Sequence, residues 1–599
     1  MQKCAHNPTI KRLVSILSAK YPIFIILFVL FFGGCNSKSS PIPSIPIATW
    51  TPEQAHPTQI LKPLEKTNTT STPTPIASFT PTSTESKPAN LAIWFSLALP
   101  ESIRASLSLP PEITQVRQPE EANLFLGPAT GVLKQNDELP SSTWVYAMVA
   151  PFPTVMDGVN LADIKDCWVG KPSPIFNGNP ILMAADTYQA FQGLWGPSLT
   201  GVMVVDKDKL LDTAWKMPSW AIVPFDDLDP RWKVLRVDGM SPLDKDFNLD
   251  AYPLIIKFIL TVDALYEDYL VSQVRALRLV LPFTNRDPNK MTVLVLSGTT
   301  ALSRNTSTKM EENGITYPAR DIGSWFRDAD LAHISNEVPM FEQCPPVVPV
   351  RREMRFCSSP RYLDLFKDIG VDLVELTGNH ELDYGVDAFN ETLNLYRQND
   401  LPYYGGGENL EEARKPLFIE HNGNRLAFIG CNAVGPESDL ATKDLPGAAP
   451  CDMDKLETQV RELSKQGYLP VVTFQHFEFG IFDGYKPQSA QRVDFQRIAA
   501  AGAVIVSGSQ AHYPQTMTFI GNNFVHYGLG NLFFDQMDKE NRREFIDRHI
   551  FYNGRYISTE LLTAILEDYA RPRPMTLEER VQLLQDIFGA SEWQKADAK

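Results

Sequence analysis

The chain has 599 residues, enough for two to four domains that each bury a core. Its 71 acidic and 55 basic residues leave a net charge of −16, which excludes the cationic field that binding to a nucleic-acid backbone needs. Such a charge keeps a protein soluble near a polyanionic cell surface and says nothing about its fold.

The first 20 residues carry Lys3, Lys11, Arg12 and Lys20 and no acid, and residues 21–32 form an almost wholly apolar run. That run is too short for a comfortable membrane span, and with its basic flank it reads as a secretory signal. The exit, Phe32-Gly33-Gly34-Cys35-Asn36, resembles a bacterial lipobox, which implies a lipoprotein signal peptide over 1–35 and a lipid on Cys35. An uncleaved anchor is the alternative, and either leaves the protein extracytoplasmic and tethered to the outer face of the cell membrane. Residues 36–89 are dominated by Ser, Thr, Pro, Lys and Gln and cannot bury enough apolar surface to fold, so they are expected to be a disordered stalk. Beyond Cys4 and Cys35 five cysteines remain, including two close pairs, Cys344 with Cys357 and Cys431 with Cys451. In an oxidising compartment these read as two disulfides with Cys167 left odd and buried; five free thiols is the competing reading.

Residues 90–288 alternate short apolar runs (91–97, 144–149, 201–205, 221–224) with helical stretches such as 185–193, which predicts an α/β module. Residues 152–171 and the pair 241–247 and 252–254 resemble the crossing segments of periplasmic solute-binding proteins. A working ligand cleft and a spacer with that fold both remain open.

Residues 291–568 hold seven of the nine histidines and a series of apolar strands that end in polar or glycine turns. The 291–300 run ends in Gly298-Thr299, the 330–339 run carries Glu337, and residues 371–376 lead into Gly378-Asn379-His380. The 469–478 run delivers His476, 503–512 delivers Gln510 and His512, and 526–534 contains Gly530-Asn531. A turn at the carboxyl end of a buried strand is where open α/β sheets place ligands, and Asn and His suit a cation or a phosphoryl oxygen. Taken alone, Asn379-His380 would be an ordinary turn. Glu381, Asp383 and Tyr384 read as caps of a helix beginning near Val386, and His333, His421 and His549 as ordinary histidines. The Gly-rich 403–407 segment lacks a P-loop pattern and reads as a turn.

The ordered series over 291–536 resembles the CapA family of capsule and poly-γ-glutamate synthesis proteins, whose domain has a metallophosphatase-like fold. The resemblance implies an α/β fold class, with a metallophosphoesterase-like αββα sandwich preceded by a smaller periplasmic-binding-protein-like domain. It also implies a metal set of Glu337, Asn379, His476, Gln510 and His512, with His380 as general acid. Two departures stand against a two-metal site: Thr299 replaces the family's Asp, and Ser509 and Gln510 replace two histidines. One divalent metal (Mn, Zn or Fe) serving hydrolysis, or a metal-free binding protein for an anionic ligand, both follow from the series. The capsule or polymer synthesis machinery is the implied partner, with no nucleic acid. Residues 569–599 are expected to form a helical tail packed on the domain.

Overall fold

A computed structural model describes residues 90–129, 136–171, 174–347, 354–476 and 484–593. Cys35, the 1–35 signal segment and the 36–89 stalk lie outside the described residues.

Among the described residues the first sheet has ten strands, organised around the long strand Ser141–Pro151, which is buried along most of its length. Ile255–Val262, Ala221–Pro224 and Trp232–Val237 pair antiparallel with it. The runs expected at 201–205 and 221–224 appear as Val202–Val204 and Ala221–Pro224, and the helix Ala185–Trp195 covers the expected stretch. In the 152–171 segment, Gly158–Val159 pairs parallel with Trp232–Val237 before the helix Leu161–Trp168.

The rest of the chain builds two further large sheets whose inner faces share a core. In the eight-stranded sheet, Met291–Leu296, Leu331–Asn336, Leu373–Glu375 and Tyr403–Tyr404 run parallel, while Arg543–Tyr552 turns antiparallel on the far side of Met291–Leu296. In the six-stranded sheet, Asn424–Asn432, Leu469–Gln475, Ile505–Ser507 and Asn523–His526 run parallel. Leu294, Leu331 and Leu373 of one sheet meet Phe428, Val471 and Ile505 of the other in one apolar cluster. The outer face of the first packs on the helices Leu363–Ile369 and Val386–Gln398, and that of the second on Met453–Lys465 and Ser489–Ala501. The layers therefore run helix, sheet, sheet, helix. Strands buried on both faces need mostly apolar runs, as Met291–Leu296 and Leu469–Gln475 have.

Two details differ from the sequence expectation. The tail is not simply helical, because Arg571–Pro574 adds an antiparallel edge strand to Arg555–Glu567 before the helix Leu577–Ala590 begins. An edge position tolerates Pro572 and Pro574, whose missing N–H groups would break a central ladder. The division near 288 also does not separate the cores: Met291, Val293, Ile550 and Tyr552 belong to the cluster of the first sheet, and Phe152 packs among Phe519, Phe524 and Phe588. Cys344–Cys357 and Cys431–Cys451 are bonded, and Cys167 is free and buried.

Candidate functional site

Parallel strands from both inner sheets end on one edge, and Glu337, Asn379, His380, His476, Gln510 and His512 each follow such an end closely. Close packing of main chains explains the glycines there. A Cβ on Gly298 would lie 1.8 Å from the Gly530 carbonyl oxygen, and Thr299 bridges to Asn531 in the same crossing. A Cβ on Gly378 would lie 2.7 Å from Cα of Glu337, so this glycine lets the 378–380 turn lie directly against Glu337.

His380 is the centre of that contact. Its Nδ1 donates to Asp383 Oδ2 at 2.8 Å, and its Nε2 lies 3.5 Å from Glu337 Oε1. The Phe356 ring packs 4.5 Å from the imidazole, and the Phe356 N–H donates to the same Asp383 oxygen. Burial opposes the imidazolium, but the Asp383 hydrogen bond and the charges of Glu337, Asp383 and Asp439 prevail and raise the His380 pKa. The neighbouring Glu381 is fully buried with both oxygens lacking a hydrogen-bond partner, and burial followed by the charge of Asp439 holds it neutral well above the usual carboxylate range. Asp439 is pushed up to about 6, first by burial and then by Asp383. The expected capping role of these acids is not observed: the helix Val386–Gln398 starts from Gly385 without a side-chain cap, and Asp383 orients His380 instead.

The other expected ligands make separate contacts. Asn379 Oδ1 accepts from Gln475 Nε2 at 3.1 Å, and His476 Nε2 meets Asp494 Oδ2 at 3.1 Å. His512 Nδ1 pairs with Asn531 Oδ1 at 2.9 Å, and Gln510 Nε2 donates to Ser335 Oγ at 2.7 Å. The hydroxyl of Thr299 donates toward the carbonyls of Ser509 and Ala511, each at 3.4 Å. Ser509 Oγ donates to Glu375, which also accepts from Thr377 at 2.6 Å and lies 3.5 Å from His333. His333 in turn reaches Tyr404, whose hydroxyl meets Thr473 of the other sheet. Burial pushes the Glu375 pKa up, but the His333 contact and the two hydroxyls outweigh it and hold the carboxylate ionised. The residues that stand where a metal-binding Asp and His were expected have thus become parts of the polar frame between the sheets.

No three His, Cys, Asp or Glu side chains among the described residues form a metal-binding group, so the five expected ligands are not drawn together as a set. A two-metal clamp does not fit, because the hydroxyl of Thr299 is turned to main-chain carbonyls. One hard cation is compatible with Glu337, both of whose oxygens lack a hydrogen-bond donor, and with Gln510 Oε1, which also lacks one.

Glu337, Asn379 and His380, named from the sequence, lie together at the strand ends, and Asp383, Asp439, Gln475 and Asp494, which surround the named residues, were not named as contributors. The three-residue step from His380 to Asp383 was the available signal, and Gln475 ends the strand that delivers His476; Asp439 and Asp494 come from a turn and a helix that sequence alone does not bring to the edge.

Residues 293–536 match the family model described as bacterial capsule synthesis protein PGA_cap. The chain is similar to the capsule biosynthesis protein CapA of Bacillus anthracis, 25% identical over 327 residues that cover 53% of this chain and 79% of that protein. It is similar to the PGA biosynthesis protein CapA of Bacillus subtilis (strain 168), 26% identical over 205 residues that cover 34% of this chain and about half, 53%, of that protein. Among solved structures, a 5'-nucleotidase precursor from Thermus thermophilus aligns at 12% identity and a TM-score of 0.26, covering 49% of this chain and 58% of that one. An ABC-type phosphate transport receptor from Vibrio cholerae aligns at 13% identity and a TM-score of 0.25, covering 32% and 93%. Both likenesses are too loose to carry an argument.

Proposed function

We propose that this protein serves the synthesis of an anionic, poly-γ-glutamate-type polymer outside the cell membrane, held there by a lipid on Cys35; the match of residues 293–536 to the capsule synthesis family model and the similarity to two CapA proteins support this reading. The observation that carries the site reading is the clamp on His380: Asp383 takes one ring nitrogen, and the other faces Glu337 at the strand ends. A ring fixed in this way presents one N–H donor in a constant direction. It can bind a carboxylate oxygen of the polymer or pass a proton to a departing oxygen. Glu337 and Gln510 are the residues that would hold a hard divalent cation, which when bound would polarise a carbonyl or phosphoryl oxygen. Asp383 keeps the His380 ring from turning, and Phe356 shields one face of it from water.

The Ser509 to Glu375 bond and the closed Thr299 position favour a second reading, a non-catalytic binding protein for an acidic polymer. One experiment separates the readings. Calorimetric titration of the full chain with a poly-γ-glutamate oligomer is expected to show binding, and His380→Ala to weaken it about tenfold, the scale of one charge-assisted hydrogen bond. Absence of binding by the unmodified protein would remove the polymer from the proposal. Phosphoester hydrolysis that needs Mn²⁺ and disappears in both Glu337→Gln and His380→Ala would replace binding by metal-assisted hydrolysis.

A further inference from the structure

A cavity of about 640 Å³, with Phe356 in its wall, opens between the helix Arg304–Asn313 and the chain on either side of the Cys344–Cys357 disulfide. Three guanidinium groups line it, from Arg304, Arg355 and Arg361, together with the carboxylates of Glu311 and Glu312. The three cations are not equivalent. Arg304 is held by Asp535 and stacks over Phe356, and Arg361 pairs with Glu311 at 2.6 Å. Arg355 forms no ion pair among the described residues. It is exposed, lies over the Tyr384 ring at 4.7 Å, and donates from Nε and Nη2 to the main-chain oxygen of Asp383 at 2.9 and 2.7 Å.

Those bonds tie the guanidinium to the residue whose carboxylate holds His380, and the next residue, Phe356, packs on the imidazole itself. The cavity wall and the strand-end site are therefore one continuous surface. The disulfide at Cys357 anchors the strip that carries Arg355 and Phe356, which reduces the ordering that binding would otherwise require.

We infer that this cavity seats a segment of the acidic polymer, with Arg355 gripping one carboxylate while a neighbouring unit reaches His380. The inference rests on the function proposed above. The guanidinium has no carboxylate partner, and its Nη1 and outer Nη2 N–H groups, which Asp383 leaves free, match a single carboxylate in geometry and charge. Glu311 and Glu312 on the opposite wall offset part of the positive charge of the arginines, which suits singly charged carboxylates spaced along a chain better than a densely charged phosphate. Arg355 is thus a specificity-determining residue.

The test is titration of the full-length protein with a poly-γ-glutamate oligomer at several salt concentrations. Arg355→Gln is expected to weaken binding about tenfold and to flatten the salt dependence, with Arg355→Lys in between because an ammonium lacks the two-pronged fork. Ser359→Glu, which adds a negative charge to the cavity lining without touching Arg355, is expected to weaken binding as well, and it answers the question if Arg355→Gln melts early. Arg327→Gln, a surface change outside this cavity, serves as the control. Binding by Arg355→Gln and Ser359→Glu equal to the unmodified protein, or an equal loss in Arg327→Gln, overturns the cavity assignment and leaves the proposed function standing. If the unmodified protein does not bind the oligomer, both fall.

Discussion

Glu544 sits inside the strand Arg543–Tyr552, buried, with neither carboxylate oxygen hydrogen-bonded. Burial raises its pKa well above the ordinary 4.5, so the folded protein keeps the proton that the unfolded chain releases. The stability this neutral carboxyl contributes is complete below 4.5 and declines as pH rises toward the raised folded value. Glu544→Met is therefore expected to stabilise the protein by about 1–3 kcal/mol at pH 4, the cost of an unpaired buried polar group, and by more at pH 8, where the folded protein must also hold the proton. Chemical denaturation at the two pH values checks this, and equal effects at both would contradict it. At this scale the sequence points to the residues that stand in motifs, such as His380 and Glu337, which the fold brings within 3.5 Å of each other. The sequence does not point to Asp383 as a positioning group or to Arg355 as a cation, because their partners are set by how loops fold over the sheet edge.

Two elements show what local sequence does and does not carry. Cys431 is the penultimate residue of the strand Asn424–Asn432 and Cys451 lies just before the helix Met453–Lys465, so their bond closes the loop between strand and helix. Closing a loop of 20 residues limits the unfolded chain, and Cys431→Ser is expected to cost about 2–4 kcal/mol in urea denaturation under oxidising conditions. In reducing buffer the variant and the unmodified protein should unfold alike; the same deficit in both buffers would contradict a disulfide contribution. The sequence predicts a helical tail, and the helix Leu577–Ala590 is present with Thr576 and Glu579 forming its capping box. The strand Arg571–Pro574 before it was not legible, since two prolines argue against a strand until an edge position is known.

At the scale of the molecule, the change from the first sheet to the next two follows the sequence near 288, yet the cores are continuous across it. Asp157 receives Arg580 from the C-terminal helix and Lys233 from the first sheet, and these groups line a second cavity, of about 720 Å³. Removing residues 289–599 would expose the apolar surface that Met291, Ile550 and Tyr552 cover. Scanning calorimetry of the full chain is expected to show a single cooperative transition, and residues 90–288 made alone to aggregate or to melt at a lower temperature. Two independent transitions would show that the two parts are stable separately.

By itself the sequence determined the α/β character, the two cysteine pairs and the strand-end motifs whose order resembles the capsule synthesis family. Each of these follows from local pattern: apolar runs that must be buried on both faces, turns that need glycine, and cysteines close along the chain. The tertiary structure alone decided what the motif residues touch. Thr299 turns to main-chain carbonyls, Ser509 completes a buried polar frame, and His380 is clamped beside an arginine-lined cavity. Contacts of that kind depend on distances between strand ends far apart in the chain, and no local pattern encodes them.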